Sequence, residues 1–179
     1  MSTQVERSTN ARTGKTEGDW AQIAEDGLFS GMIGALMVAV WFLILDTLEG
    51  HPLYTPSLLG KVLFHGGAAI EDPAIVPAMV VVYTGVHMAA FIAIGMIAAY
   101  FVRASERAPA MGIMLLFLFV IFEASFFVYS LGVGGGLFGQ LGVMAVIVAN
   151  LLAAGGMSTY FLVRRPGARR SLEKSWEDA

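Results

Sequence analysis

The sequence contains no cysteine and little charge. The chain has 179 residues, of which 0 are Cys and 14% are Asp, Glu, Lys or Arg, whereas soluble domains average about 25% charged residues. Without cysteine the chain cannot form disulfide bonds, thiolate metal sites or thioether links to haem. The low charge accompanies 56% hydrophobic residues and a mean hydropathy of +0.69, which together favour a membrane protein over a water-soluble domain.

Charged residues are absent from four long runs, which are residues 28–45, 74–102, 108–122 and 124–163. A helix needs about 20 mainly apolar residues to cross a bilayer. The sequence lacks the strand-like alternation that would indicate a membrane barrel. We therefore predict an all-α integral membrane protein, a four-transmembrane-helix bundle. Its spans are predicted near residues 27–48, 73–102, 109–131 and 138–163.

The basic residues predict how this bundle is oriented. All except Lys61 fall on one side of it, and they are Arg7, Arg12, Lys15, Arg103, Arg107, Arg164, Arg165, Arg169, Arg170 and Lys174. The positive-inside rule then places both termini in the cytoplasm. We expect the membrane to be a bacterial-type inner membrane.

The three parts of the chain follow from these spans. Residues 1–26 are expected to form a retained, mostly disordered cytoplasmic tail that orders near Asp19, which has capping-box spacing to Gln22. Residues 27–164 form the predicted transmembrane domain. Residues 165–179 are expected to form a basic cytoplasmic tail.

The loop between the first two spans predicts a short helix on the membrane surface. Thr55 is a suitable N-cap because Pro56 follows it at the first helical position. The expected apolar side is Leu58, Leu59, Val62 and Leu63. Asp72-Pro73 repeats the same start signal for the second span.

Carboxylate and imidazole groups are also frequent near this outer side, at Asp46, Glu49, His51, His65, Glu71 and Asp72. Such ligands could hold a divalent metal, but no ligand spacing repeats. We interpret these residues as solvated loop charges and predict no metal site.

Small residues recur every four positions in the first span, at Gly27, Gly31, Ala35 and Ala39. Such a stripe lets helix backbones approach closely in lipid. We interpret it as packing within the chain, and an interface with another subunit or a second copy is the alternative.

The second and third predicted spans each carry one ionisable residue, His87 and Glu123. At 1.5 Å per residue, two helices joined near residue 106 bring these side chains to nearly one depth. Tyr83 lies one turn from His87, and Asn150 in the fourth span reaches the same layer. Ionisable groups in a membrane interior are costly and commonly functional. The predicted His87–Glu123 pair therefore either exchanges a proton or fixes helix register.

Three functions fit this pattern. The first is a non-catalytic accessory or assembly subunit of a larger membrane complex, and we favour it because the chain is small. The others are a proton- or ion-coupled transporter that uses His87 and Glu123, and a quinone- or haem-binding redox subunit that uses His87 and Tyr83. A haem with two histidine ligands would need the second from a partner chain. No catalytic set or nucleic-acid surface is evident, so we do not expect an enzyme, and the cofactor stays open.

Overall fold

The computed structural model describes residues 2–66, 71–105, 123–124, 127–128 and 142–164. Within these residues every regular element is helical, and the four helices are α1 (Ser2–Leu48), α2 (Tyr54–His65), α3 (Pro77–Ser105) and α4 (Val143–Arg164). Within this described part, three stretches are long and apolar enough to cross a membrane, namely Asp19–Leu48, Pro77–Ala104 and Val143–Arg164. These stretches support a bilayer as the environment of the protein.

Only a small part of the predicted third span, 109–131, lies within the described residues. Glu123, Ala124, Phe127 and Val128 have helical backbone. The rest of that predicted span lies outside the described residues.

The first helix is longer than predicted. It begins at Ser2 rather than near residue 27, so the expectation of disorder is wrong for residues 2–18. Nucleating a helix is costly, whereas extending one adds a hydrogen bond for each residue fixed. The apolar span supplies the nucleus, and α1 contains no proline that would interrupt the extension.

Two apolar clusters fix the directions of the helices. In the first, Ile23 of α1 packs near Val102 of α3 and Phe161 of α4. We call this the basic end, because Arg103 and Arg164 lie beside it in sequence. In the second, Phe42 of α1 packs with α2 and with Val146, near the start of α4. We call this the α2 end. Helices α3 and α4 therefore both run antiparallel to α1.

Helix α2 packs onto this second cluster with part of its predicted apolar side. Leu58 and Val62 are buried there, whereas Leu63 is exposed. The helix begins at Tyr54, after Leu53 at the left-handed φ of 70°. Thr55 is therefore inside the helix, and its prediction as the N-cap is wrong.

The second span starts four residues later than predicted. Helix α3 begins at Pro77, not Pro73, and proline is favoured at the first helical position because its missing N–H would be unpaired there anyway. The Val76 N–H donates to the Ser57 hydroxyl at 2.9 Å. A side chain of α2 thus fixes the segment that leads into α3.

Candidate functional site

His87 lies on α3 and contacts the backbone of α1. Its Nε2 is 3.3 Å from the Ala35 carbonyl oxygen. A carbonyl can only accept, so Nε2 carries the hydrogen, and in the neutral ring Nδ1 is then an acceptor. The approach is possible because Ala35 is small and only 1% exposed. A backbone carbonyl of α1 is therefore the partner that holds the imidazole in place.

Two aromatic rings flank His87 along the same face of α3. The Tyr83 ring is stacked on the imidazole at a centroid distance of 5.6 Å, and the Phe91 ring lies 4.7 Å away on the other side. The spacing of four residues brings each ring within one turn of the next. These contacts restrict the rotation of the imidazole and fix its orientation.

A cavity of about 310 Å³ lies between α1, α2 and α3. Its wall is mainly apolar, and the polar residues lining it are Asp46, Thr55, Tyr83, Thr84 and His87. Ligand sites commonly combine an apolar wall with a few polar groups that orient the bound molecule. We call this space the His87 cavity.

Some of these polar groups already have partners and others do not. Asp46 accepts from Thr55, and the Thr84 hydroxyl donates to the Val80 carbonyl. Within the described part of the chain, neither the Tyr83 hydroxyl nor Nδ1 of His87 has a hydrogen-bond partner. Two residues that line the cavity, Tyr83 and His87, therefore each carry a polar group that no described residue binds.

The other two residues predicted for this site are half-buried. Glu123 has helical backbone, and Asn150 lies on α4. Among the described residues, no hydrogen bond or ion pair joins either of them to His87, and most of the chain around Glu123 lies outside those residues. The His87–Glu123 pair and its extension to Asn150 stay predictions.

The small residues of α1 lie where α3 comes closest. A Cβ added at Gly27 would be 2.5 Å from the Met96 Cα, and one added at Gly31 would be 2.5 Å from the Phe91 carbonyl oxygen. Ala35 lies under His87, whereas Ala39 is exposed and lines the His87 cavity. Three of the four residues are thus occupied by contacts within this chain.

Ion pairs join the helices at the basic end, and the sequence pattern did not predict them. Arg103 of α3 donates to Asp19 and to the Gln22 side chain, the latter at 2.8 Å. Asp19 and Gln22 therefore bind α3 instead of capping a helix start. Arg164 of α4 donates to Glu25 and lies 3.7 Å from Asp26. Both arginines, interpreted as topology signals, also join the three long helices.

Asp26 is the buried member of this group. Asp26 is only 5% exposed, and its carboxylate accepts a hydrogen bond from the Tyr160 hydroxyl at 3.3 Å. The sequence offered one signal for this cluster, since Asp19, Gln22 and Asp26 fall on one face at spacings of three and four.

Asp46 at the α2 end is buried, with 3% exposed, and its interpretation as a solvated loop charge is wrong. Its two carboxylate oxygens accept from the Thr55 backbone N–H at 2.8 Å and from the Thr55 hydroxyl at 2.7 Å. A carboxylate at a helix N-terminus satisfies an unpaired donor and complements the helix dipole. Asp46 thus supplies, from α1, the cap that α2 does not make itself.

Lys61 of α2 holds the chain before α3. Its ammonium group donates to the carbonyl oxygens of Asp72 and Ala74 and lies 3.3 Å from the Asp72 carboxylate. The Ala74 backbone N–H, aided by Lys61, holds the pKa of Asp72 below its ordinary value. Burial, and then the nearby Asp46 carboxylate, raises the pKa of the Tyr54 phenol.

The remaining outer residues, Glu49, His51, His65, Glu71 and Asp72, are exposed. Within the described residues, no three His, Asp or Glu side chains lie close enough together to hold a metal ion.

The chain was compared with known protein families, curated proteins and solved structures, and none of them matches it.

Proposed function

We propose that the chain is a four-span protein of the inner membrane with both termini in the cytoplasm. Helix α3 ends at the basic end, and α4 begins at the α2 end. The chain between Ser105 and Val143 must therefore pass from one end of the bundle to the other. Residues 109–131, the predicted third span, are apolar enough to make that passage, which gives four spans in all. In this arrangement α2 lies on the side of the inner membrane that faces away from the cytoplasm.

This topology can be tested with single cysteines, because the chain has none of its own. Cysteines placed at Ser2, Glu49 and Glu71 would be labelled in intact cells by a membrane-impermeant maleimide. We expect labelling at Glu49 and Glu71 and none at Ser2 until the membrane is permeabilised. Labelling at Ser2 in intact cells would overturn the orientation.

We further propose that the protein is a non-catalytic membrane subunit that binds a quinone or quinol in the His87 cavity, beside a partner that carries the redox centre. The observation that carries this proposal is that Tyr83 and His87 line one mainly apolar cavity and that each has a polar group, the hydroxyl and Nδ1, which no described residue binds. A quinone carbonyl can accept from the Tyr83 hydroxyl, and a quinol hydroxyl can donate to Nδ1.

The size and position of the cavity agree with such a ligand. A volume of about 310 Å³ is at the lower limit of ordinary ligand pockets and suits a single substituted ring. The ring would pack on the apolar wall, while its isoprenoid tail extends into the bilayer. The Ala35 carbonyl holds His87 with Nδ1 ready to accept, so binding needs no change of tautomer.

Binding can be measured by calorimetric titration of the purified full chain in detergent with a short-chain benzoquinone and its quinol. We expect Tyr83→Phe to weaken quinone binding and His87→Leu to weaken quinol binding, each by roughly fivefold to tenfold. One hydrogen bond in an apolar site is worth about 1 kcal/mol.

Two matched variants serve as controls. Tyr100→Phe removes a tyrosine hydroxyl, and His65→Leu removes an imidazole, and both residues are outside the cavity. We expect wild-type affinity from both. The proposal is wrong if the wild type binds neither molecule, or if the controls lose as much affinity as the cavity variants. Wild-type binding by His87→Leu with loss of proton flux in vesicles would instead support the transporter hypothesis.

A further inference from the structure

The His87 cavity has an exposed edge along the membrane-spanning part of α1. The residues that line the cavity and are also exposed are Leu36, Ala39, Val40, Leu43, Leu53 and Thr84. Leu36, Val40 and Leu43 recur at spacings of four and three, so they form one stripe on the surface of α1. The stripe lies within the apolar stretch Asp19–Leu48, and in a bilayer it therefore faces hydrocarbon. We call this stripe the lateral opening of the cavity.

The polar lining residues at the α2 end of the cavity are buried. Asp46 and Thr55 both line the cavity there and are both buried. Two hydrogen bonds between them join α1 to the start of α2. Their polar groups are therefore occupied by each other, and this end of the cavity offers a ligand no polar entrance from water.

The exposed edge of the cavity is suited to hydrocarbon. Among the described residues, its members are uncharged, and Thr84 is the polar one. The Thr84 hydroxyl donates to the Val80 carbonyl oxygen of the same helix at 2.7 Å, so it is not left without a partner. A polar group placed at this edge would lose its contacts with water and gain few in return. An apolar chain would lose nothing there.

A quinone with a long tail needs such an opening, because the cavity volume of about 310 Å³ suits the ring alone. The tail has no room to continue toward the basic end between α1 and α3. Directly beyond His87 in that direction, a Cβ added at Gly31 would be 2.5 Å from the Phe91 carbonyl oxygen. The two helices are in backbone contact there. The lateral opening is the route that leads from the cavity to hydrocarbon.

We propose that the lateral opening holds the isoprenoid tail of a quinone whose ring lies in the His87 cavity, and that the ligand enters there from the bilayer. This inference rests on the quinone site proposed above. It narrows the ligand class to quinones that are dissolved in the membrane and carry an apolar tail. A bulky side chain in the lateral opening should therefore act on the tail and not on the ring.

The test compares a benzoquinone without a tail and the same ring with a decyl tail, by calorimetric titration of the full chain in detergent. Val40→Trp places an indole in the lateral opening. We expect it to weaken binding of the decyl quinone by roughly tenfold, the cost of losing the burial of about two methylene groups. The quinone without a tail should bind Val40→Trp as it binds the wild type.

Ile44→Trp is the matched control. Ile44 is on the same helix and is as exposed as Val40, both at 49%, but it does not line the cavity. We expect this variant to bind both quinones with wild-type affinity.

A second measurement uses the unmodified chain in phosphatidylcholine vesicles. A decyl quinone with a photoreactive diazirine in its tail is cross-linked to the protein, and the labelled residues are found by mass spectrometry. We expect labels on Leu36, Val40 or Leu43, and an excess of plain decyl quinone should prevent them. Labels confined to Leu151 and Leu152, which line a separate groove between α1 and α4, would overturn the proposal.

The outcomes separate this inference from the quinone site itself. If the wild type binds both quinones and Val40→Trp weakens neither, the tail does not lie in the lateral opening, although the ring site stands. The same holds if Val40→Trp weakens both quinones equally, since the indole then acts on the ring. If the wild type binds neither quinone, the ring site fails and the inference fails with it.

Discussion

Replacing Asp46 by alanine is expected to lower the free energy of unfolding by about 3 kcal/mol. The carboxylate is buried and accepts two hydrogen bonds from Thr55. Its removal leaves the backbone N–H and the hydroxyl of Thr55 without these partners in a buried place. It also removes both bonds that the Asp46 side chain makes to the start of α2. The measurement is denaturant unfolding of the purified protein in detergent micelles.

The matched control is Glu49→Ala, which removes an exposed carboxylate from the same end of α1. We expect it to change stability by less than about 0.5 kcal/mol. Asp46→Asn should be intermediate, because its amide oxygen can still accept from the Thr55 N–H. If Asp46→Ala and Glu49→Ala have the same free energy of unfolding, the Asp46 carboxylate does not cap α2.

The second large effect is expected from Gly95→Ala, which should destabilise the bundle by about 1–3 kcal/mol. A Cβ at Gly95 would overlap the Gly27 carbonyl oxygen and lie 2.7 Å from the Gly31 backbone nitrogen. Both neighbours are backbone atoms, which cannot rotate away as a side chain can. Helices α1 and α3 would have to separate, and His87 would lose its bond to Ala35.

Gly85→Ala is the control, since its Cβ has open space. Alanine is favoured over glycine in a helix interior by about 1 kcal/mol, so this variant should be neutral or slightly more stable. The same micelle unfolding measurement gives both values. If Gly95→Ala proves as stable as Gly85→Ala, the close approach of α1 and α3 is wrong.

Hydropathy was sufficient to predict that the protein is helical and suited to a membrane, because the cost of polar groups in lipid acts on every residue of a span. Helix ends were less predictable. Both Asp72-Pro73 and Val76-Pro77 are plausible starts for α3, and Ser57, on another helix, binds Val76 at the start that is used. The residues around the two prolines therefore do not show which of them starts α3, because the deciding contact comes from α2.

The candidate site was predicted only in part for a similar reason. The neighbouring positions of Tyr83 and His87 follow from helical spacing. The Ala35 carbonyl that binds His87 is a backbone group, which every residue has, so no residue type indicates it. Asp19 and Arg103 are separated by 84 positions, and their pairing depends on how α1 and α3 pack.

The polar contacts at the two ends of the bundle differ in kind. Arg164 and Glu25 are both about half exposed, and dissolved ions weaken attraction between charges in water. Asp46 and Lys61 are buried and bind mainly uncharged donors and acceptors, which dissolved ions affect far less. Ionic strength therefore acts unevenly along the molecule. Concentrated salt should weaken the pair of Arg164 with Glu25 more than the contacts of Asp46 and Lys61, while the apolar cluster around Ile23 keeps the ends of α3 and α4 packed on α1.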